Sequence, residues 1–220
     1  MKLQRLGGYA AIASVCVTLI SLALVFLKQM RIGDLNDPIQ AMSAMSSSPA
    51  DFYFNNVLVM VLSILSLIIV FALNERMQAD APNLTRMAII AASIATALGI
   101  LTAVARTYAI ELIVPTNDVS AYRAFDAIVT SIWSASGTAT GWLGLLIGCA
   151  VLKTRAFQKI PAWLIILGSL FWVRIPFPVN IGNIGLISWL LWCVSILWFG
   201  IEMLRQKKLE PAAKGIGVSG

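Results

Sequence analysis

Apolar residues in this chain run in stretches of about 20 or more, the length of α-helix that crosses a hydrocarbon core of roughly 30 Å at about 1.5 Å per residue. Six segments stand out, at 7–29, 52–74, 86–112, 120–152, 161–175 and 183–204. In lipid every backbone N–H and C=O must be satisfied by the chain itself, which leaves helices and closed β-barrels as spanning structures. A barrel needs alternating segments of about 10 residues, and these runs do not alternate. The sequence therefore predicts an all-α, polytopic transmembrane helix bundle of six spans. It forms one domain over residues 1–204, with a cytoplasmic tail at 205–220. Composition agrees, since 59% of residues are hydrophobic and 12% charged, against roughly 45–50% and about 25% in water-soluble domains.

The fifth segment is the uneven one. Pro161 suits the first turn of a helix, whereas Pro176 and Pro178 each lack an N–H and disfavour helix in the residue before them. This span is expected to be short and to end in an extended turn. The fourth is longer than a bilayer requires and should tilt, bend or project; Asn117 and Asp118 supply its start. Between the first two spans, Asp37-Pro38 can open a short helix over Ile39 to Met45, and Ser48-Pro49-Ala50-Asp51 resembles a capping box. The apolar stretch Gly7 to Leu27 is too long for a signal-peptide core, and no small-residue cleavage site precedes Lys28, so it reads as a retained first helix. Cys16, Cys149 and Cys193 all fall inside apolar runs, which suits small core residues better than a disulfide framework.

Orientation follows from the basic residues. With the N-terminus inside, Lys2, Arg5, Arg76, Arg86, Lys153, Arg155, Lys159, Arg205, Lys207, Lys208 and Lys214 fall on the cytoplasmic side, and only Lys28, Arg31, Arg106, Arg123 and Arg174 fall outside. Eleven against five is a positive-inside bias that sets both termini in the cytoplasm. The same placement beside apolar runs explains the net charge of +6 without nucleic acid, which would call for an interleaved basic and aromatic patch.

The stretch Gly141-Trp142-Leu143-Gly144-Leu145-Leu146-Ile147-Gly148, then Leu152-Lys153-Thr154-Arg155-Ala156-Phe157-Gln158-Lys159-Ile160-Pro161 and Leu164 to Gly168, resembles a large group of bacterial six-helix membrane proteins classed as a domain of unknown function. The start Arg5-Leu6-Gly7-Gly8-Tyr9 is similar to theirs as well. The resemblance spans residues 5 to 204 and implies a bacterial inner membrane and a six-helix architecture. That group has no established activity, so no site residue is implied.

The chain has no histidine. No His-ligated haem or zinc is expected, nor a Ser/His dyad or an imidazole proton relay; the cofactor is otherwise unknown. No carboxylate pair and no lysine lies in mid-span. Polar residues gather instead near one set of span ends: Asn55 and Asn56; Arg106, Tyr108 and Glu111; Arg123, Asp126 and Thr130; Arg174; and Asn180 with Asn183. Charge at such depth turns inward, pairs, or snorkels to the interface. Arg106 and Glu111 are about 140° apart around a helix, so Arg106 must look to another helix, with Asp126 or Asn55 as candidates, while Arg123 and Asp126 can pair locally. These residues define a candidate outward-opening site in which Arg106 and Arg174 bind an anionic or carbonyl-bearing ligand such as a lipid headgroup or quinone. Snorkelling arginines and interhelical pairs that only fix the bundle are the plainer alternative.

Thr130, Ser134, Gly137, Gly141, Gly144 and Gly148 recur at spacings of four and three along the fourth span, a small-residue face for close helix packing within or between chains. Ser136, Thr138 and Thr140 lie on other faces, and most of them are expected to bond back to their own helix. Trp189 and Trp192 share a face of the last span, where packing or lipid contact is the first expectation. Three functions remain open. One is a non-enzymatic module that binds a lipid-like ligand or serves as an accessory subunit. The second is a small transporter built on Arg106, Arg174 and the broken fifth span, although no internal repeat is evident. The third is a lipid-acting enzyme that would have to rely on Glu111 or Asp126. Membrane lipids, a second copy of the chain or a larger membrane complex are the expected partners.

Overall fold

A computed structural model of the chain describes residues 2–32, 37–173 and 183–205, with the backbone alone at Lys2, Gln29, Arg31, Ile32, Asn183 and Ile184. Arg174, Asn180 and the Pro176-Phe177-Pro178 turn lie outside the described residues, as does the tail beyond Arg205. The described residues form α1 (Lys2–Ile32), α2 (Pro38–Ser47), α3 (Pro49–Met77), α4 (Pro82–Leu112), a 3-10 turn (Val114–Thr116), α5 (Val119–Thr154), α6 (Lys159–Trp172) and α7 (Asn183–Arg205), with no strand among them. Five helices, α1, α3, α4, α5 and α7, are long and apolar enough to cross a membrane. At 14 residues, α6 reaches only about 21 Å, short of a hydrocarbon core. The fifth predicted span, 161–175, thus does not meet the length of the other five within the described residues.

Helix boundaries follow local chemistry. The Asp37 carboxylate accepts from the Ile39 amide and Pro38 occupies the first turn of α2, which runs slightly longer than the expected helix. Asp118 caps α5 in the same way, accepting from the amides of Ser120 and Ala121, and Asn117 precedes it in the left-handed region at φ 54°. The expected capping box at Ser48 does not form: Ser48 makes no side-chain cap bond, and the Asp51 amide donates instead to the Ser48 carbonyl at 3.2 Å. Pro49 supplies the first turn without a donor, so fewer amides there need a cap.

The six long elements close into a ring. Each of α1, α3, α4, α5, α6 and α7 packs on the next in that order, and α7 returns to α1. Glycine makes this closure: a Cβ on Gly8 would lie 2.6 Å from Leu204 and 3.0 Å from the Gly200 carbonyl, and one on Gly200 would lie 2.6 Å from the Ala11 methyl. α2 leans across one end of the ring, where Ala41 and Met42 pack with Tyr122 of α5. The end with Gly7 and Met203 is here termed the near end; the end covered by α2 is the far end.

The two halves of the ring differ. The near half is filled by one apolar core in which Leu73, Met77, Ile147, Val151, Ile165 and Phe199 are almost fully buried. The far half is less completely filled, with cavities between its helices. Apolar side chains also cover the outside, with Leu19, Ile64, Ile90, Leu101, Leu167 and Ile187 about half exposed or more, as lipid rather than water would permit.

Candidate functional site

The inward face of α5 sets the site. Tyr122, Asp126, Val129, Trp133, Ser136 and Thr140 recur at spacings of four and three, a stripe with a period of about 3.5 residues that stays on one side of a helix in a left-handed bundle. Beside it runs the glycine stripe, which faces α6. A Cβ on Gly141 would sit 2.6 Å from the Val173 amide nitrogen, on Gly144 1.9 Å from the Ser169 hydroxyl, and on Gly148 2.4 Å from Ile166. The glycine face therefore packs inside the chain. Thr130 and Ser134, at the far end of the same stripe, are exposed. The reason is length, because α6 stops with Trp172 at the level of Gly137 and Gly141.

Beneath α2 lies a cavity of about 210 Å³ whose wall includes Lys28 of α1, Asn55 and Asn56 of α3, Arg106 of α4, and Tyr122 and Asp126 of α5. Four of the polar residues expected to cooperate thus come together: Asn55, Asn56, Arg106 and Asp126. Arg106 and Asp126 do not form an ion pair with each other or with another described residue; both instead lie within electrostatic reach of the Tyr122 phenol. Arg123 and Asp126 make no local pair either; Arg123 is exposed away from the cavity, and Asp126 borders the cavity at its open, exposed side. At the cavity floor the Ser21 hydroxyl donates to Asn55 Oδ1 at 3.0 Å, and Asn56 Nδ2, on a side chain 5% exposed, donates to Thr107 Oγ1 at 3.1 Å. These bonds tie α1 to α3 and α3 to α4, as expected of amides buried in an apolar bundle.

Tyr108, Glu111 and Thr130 do not line this cavity. Tyr108 is exposed, and Glu111 accepts a long 3.4 Å bond from the Tyr53 hydroxyl on the outer surface. Arg174 lies outside the described residues. Sequence reasoning missed Lys28, which read as a flanking topology signal. It is 8% exposed, donates to the Asp51 carbonyl at 2.9 Å and sits 3.9 Å over the Phe52 ring. Its position one residue past an apolar run was the available signal.

Deeper in the ring are two adjoining cavities of about 180 and 140 Å³ that share Leu62, Ser66, Trp133, Ser136, Thr140 and Trp192. From Val25 of the far cavity to Thr18 on α1 is seven residues, so the first of these cavities lies about 10 Å below it. Trp172 and Trp189 line the first, so four of the seven tryptophans face the lumen. Trp189 and Trp192 thus face inward as part of this lining. Most hydroxyls here bond to carbonyls, Ser14 and Ser66 excepted: Thr140 bonds back to Ser136, but Ser136 reaches across to the Ala95 carbonyl of α4 at 2.9 Å, and Thr96 to that of Ser63 at 3.1 Å. Thr138 and Thr140 bond back within their own helix, as expected of most of these hydroxyls, and Ser136 is the one that makes an α5 to α4 contact. Close approach permits it, because Gly99 leaves room for Ser63, 2.6 Å from where a Cβ would stand.

Five apolar helices of spanning length and an apolar outer surface make this a helical membrane protein. Compared with known proteins, the chain matches no family model, no curated protein and no solved structure. The likeness to six-helix proteins of unknown function therefore rests on the residues quoted for it.

Proposed function

We propose that this chain is a non-enzymatic binding protein of a bacterial inner membrane, with six spans and both termini in the cytoplasm. Its less filled half opens outward and holds a lipid-like molecule with an anionic or carbonyl-bearing head. The observation that carries this reading is the contrast between the two halves of the ring. A polar far cavity lies above a separate tryptophan and hydroxyl-lined interior, and the near half is closed by a packed core. A closed near half favours retention of a ligand over passage through the bundle. Each inner cavity is below the roughly 300–1,000 Å³ of usual small-molecule sites, so it suits one ring or one branched segment of a longer amphiphile. Lys28 and Arg106 would meet the head, Asn55 and Asn56 would orient it, and Trp133, Trp172, Trp189 and Trp192 would flank the body, as aromatic faces flank planar groups. A quinone has this chemistry. An accessory subunit that presents such a molecule to a larger membrane complex fits the same geometry.

The test uses the full chain, gently solubilised. Native mass spectrometry should find a retained apolar adduct, and a short-chain benzoquinone added to stripped protein should quench tryptophan fluorescence saturably. Ser66→Leu, which fills the shared space, should abolish the saturable phase. A bare chain whose quenching is linear with quinone and unchanged in Ser66→Leu would overturn the reading.

A further inference from the structure

At the near end a separate open groove of about 660 Å³ lies between the end of α3, the α5–α6 connection and α7. Three arginines border it: Arg76 from α3, Arg155 after α5 and Arg205 at the end of α7. The one carboxylate there, Glu202, has both oxygens occupied by neutral donors. Oε2 accepts from the Gln158 amide at 3.2 Å and Oε1 from Trp198 Nε1 at 3.0 Å. It holds the connection and the indole in place and closes no ion pair with the described arginines, although it lies within electrostatic reach of Arg76 and offsets part of its charge. The Arg76 guanidinium lies 4.0 Å over the Phe157 ring, which is itself packed edge-on against Phe199 at 5.3 Å, and its Nη1 is buried without a hydrogen-bond partner. An arginine so fixed, short of an acceptor, is ready for an anion.

The remainder of the groove is apolar. Val194, Leu197 and Ile201 line it at spacings of three and four along α7, running from the arginines toward mid-bundle, and Val194 is 47% exposed. A charged rim that continues into an apolar strip along a membrane-crossing helix matches a phosphate head with an attached acyl chain. Basic pockets between helices at the inner membrane surface serve that purpose. We infer that this groove binds an anionic phospholipid, its phosphate held by Arg76, Arg155 and Arg205 and an acyl chain laid along Val194, Leu197 and Ile201. The inference depends on membrane placement and not on the far-end ligand, since no residue is shared between the two sites.

Stripped full-length protein in a neutral detergent would be titrated with short-chain phosphatidylglycerol, with the phosphatidylcholine of equal chain length, and with glycerol phosphate, adducts being counted by native mass spectrometry. Phosphatidylglycerol should bind tightest. Arg155→Gln and Arg205→Gln, both at exposed positions that leave the core intact, should each weaken it about fivefold, as for one basic side chain near a charged surface. Arg76→Gln should weaken it at least as much, while Arg86→Gln, at an exposed position outside the groove, should leave it unchanged. Equal binding of the two lipids would overturn the inference, as would glycerol phosphate binding as tightly as the lipid. Arg155→Gln/Arg205→Gln protein that binds like the wild type would also overturn it.

Discussion

Gly144→Ala puts the packing of α5 on α6 to the test. A methyl at Gly144 would stand 1.9 Å from the Ser169 hydroxyl, 2.3 Å from the Trp192 ring and 3.1 Å from the Ser169 Cβ. The hydroxyl can rotate away, but the indole is rigid and the Ser169 Cβ is fixed by its backbone. α5 and α6 must therefore separate, or Trp192 must swing into the lumen. In lipid there is little apolar driving force to hold helices together, so lost contacts are not offset by burial. Overpacking of this kind costs about 1–3 kcal/mol, against a helix-propensity gain of about 1 kcal/mol or less for replacing glycine by alanine. Gly137→Ala is the internal control, because its methyl would meet only the edge of the Trp172 ring at 3.1 and 3.3 Å. A shift of a few tenths of an ångström relieves that contact, so propensity leaves the variant near neutral. At about 2–4 °C per kcal/mol for a chain of this size, thermal unfolding followed by helical circular dichroism in mild detergent should show Gly144→Ala lowered by roughly 2–8 °C and Gly137→Ala little changed. Gly144→Ala/Ser169→Gly should recover part of the loss. A Gly144→Ala protein at least as stable as the wild type, beside a destabilised Gly137→Ala, would refute the intrachain packing of this stripe.

Three further outcomes follow from other contacts. Gly7→Ala would place its methyl 2.2 Å from that of Ala72 and should destabilise by about 1–3 kcal/mol; exchanging the pair as Gly7→Ala/Ala72→Gly should restore most of it, and a swap no better than the single variant counts against this contact. Asn56→Ala should cost about 0.6–1.7 kcal/mol, with a double-mutant cycle against Thr107→Val giving a coupling of similar size through the 3.1 Å bond; a zero coupling removes that bond from the account. The Asp118 carboxyl is held below the ordinary aspartate range, first by the Ser120 hydroxyl and then by the Ala121 amide. Its capping contribution is thus complete above that range and is lost as pH falls through the lowered value. Asp118→Ala should melt below the wild type at pH 7, with the gap narrowing on acidification, and a gap independent of pH would contradict a charged cap.

The legibility of this chain from its sequence was uneven, and residues at the site show why. Asn55, Asn56, Arg106 and Asp126 could be grouped because alternate helices return their ends to the same side, a matter of chain order alone. Tyr108 and Glu111 were grouped with them on the same ground yet point outward, since height along a helix says nothing of rotation about it. Around a soluble helix a polar stripe reports that rotation. Here inward and outward faces are both apolar, and the signal is faint. Lys28 was misread for a related reason, because a lysine at the end of an apolar run has the same sequence context whether it snorkels outward or lies under α2 on the Phe52 ring.

What the sequence determined by itself was local: the long apolar helices, the shortness of α6, the caps at Asp37 and Asp118, and the small-residue stripe of α5. Each depends on backbone hydrogen bonding, proline sterics or a fixed 3.5-residue spacing within one segment. Only the tertiary structure decided that α7 returns to α1 through Gly8 and Gly200, that the stripe from Gly137 to Gly148 meets α6, and that one half of the ring is packed while the other keeps cavities between its helices. These outcomes turn on ångström-scale fit between surfaces far apart in the chain. In lipid that fit, more than burial from water, selects which helix faces meet.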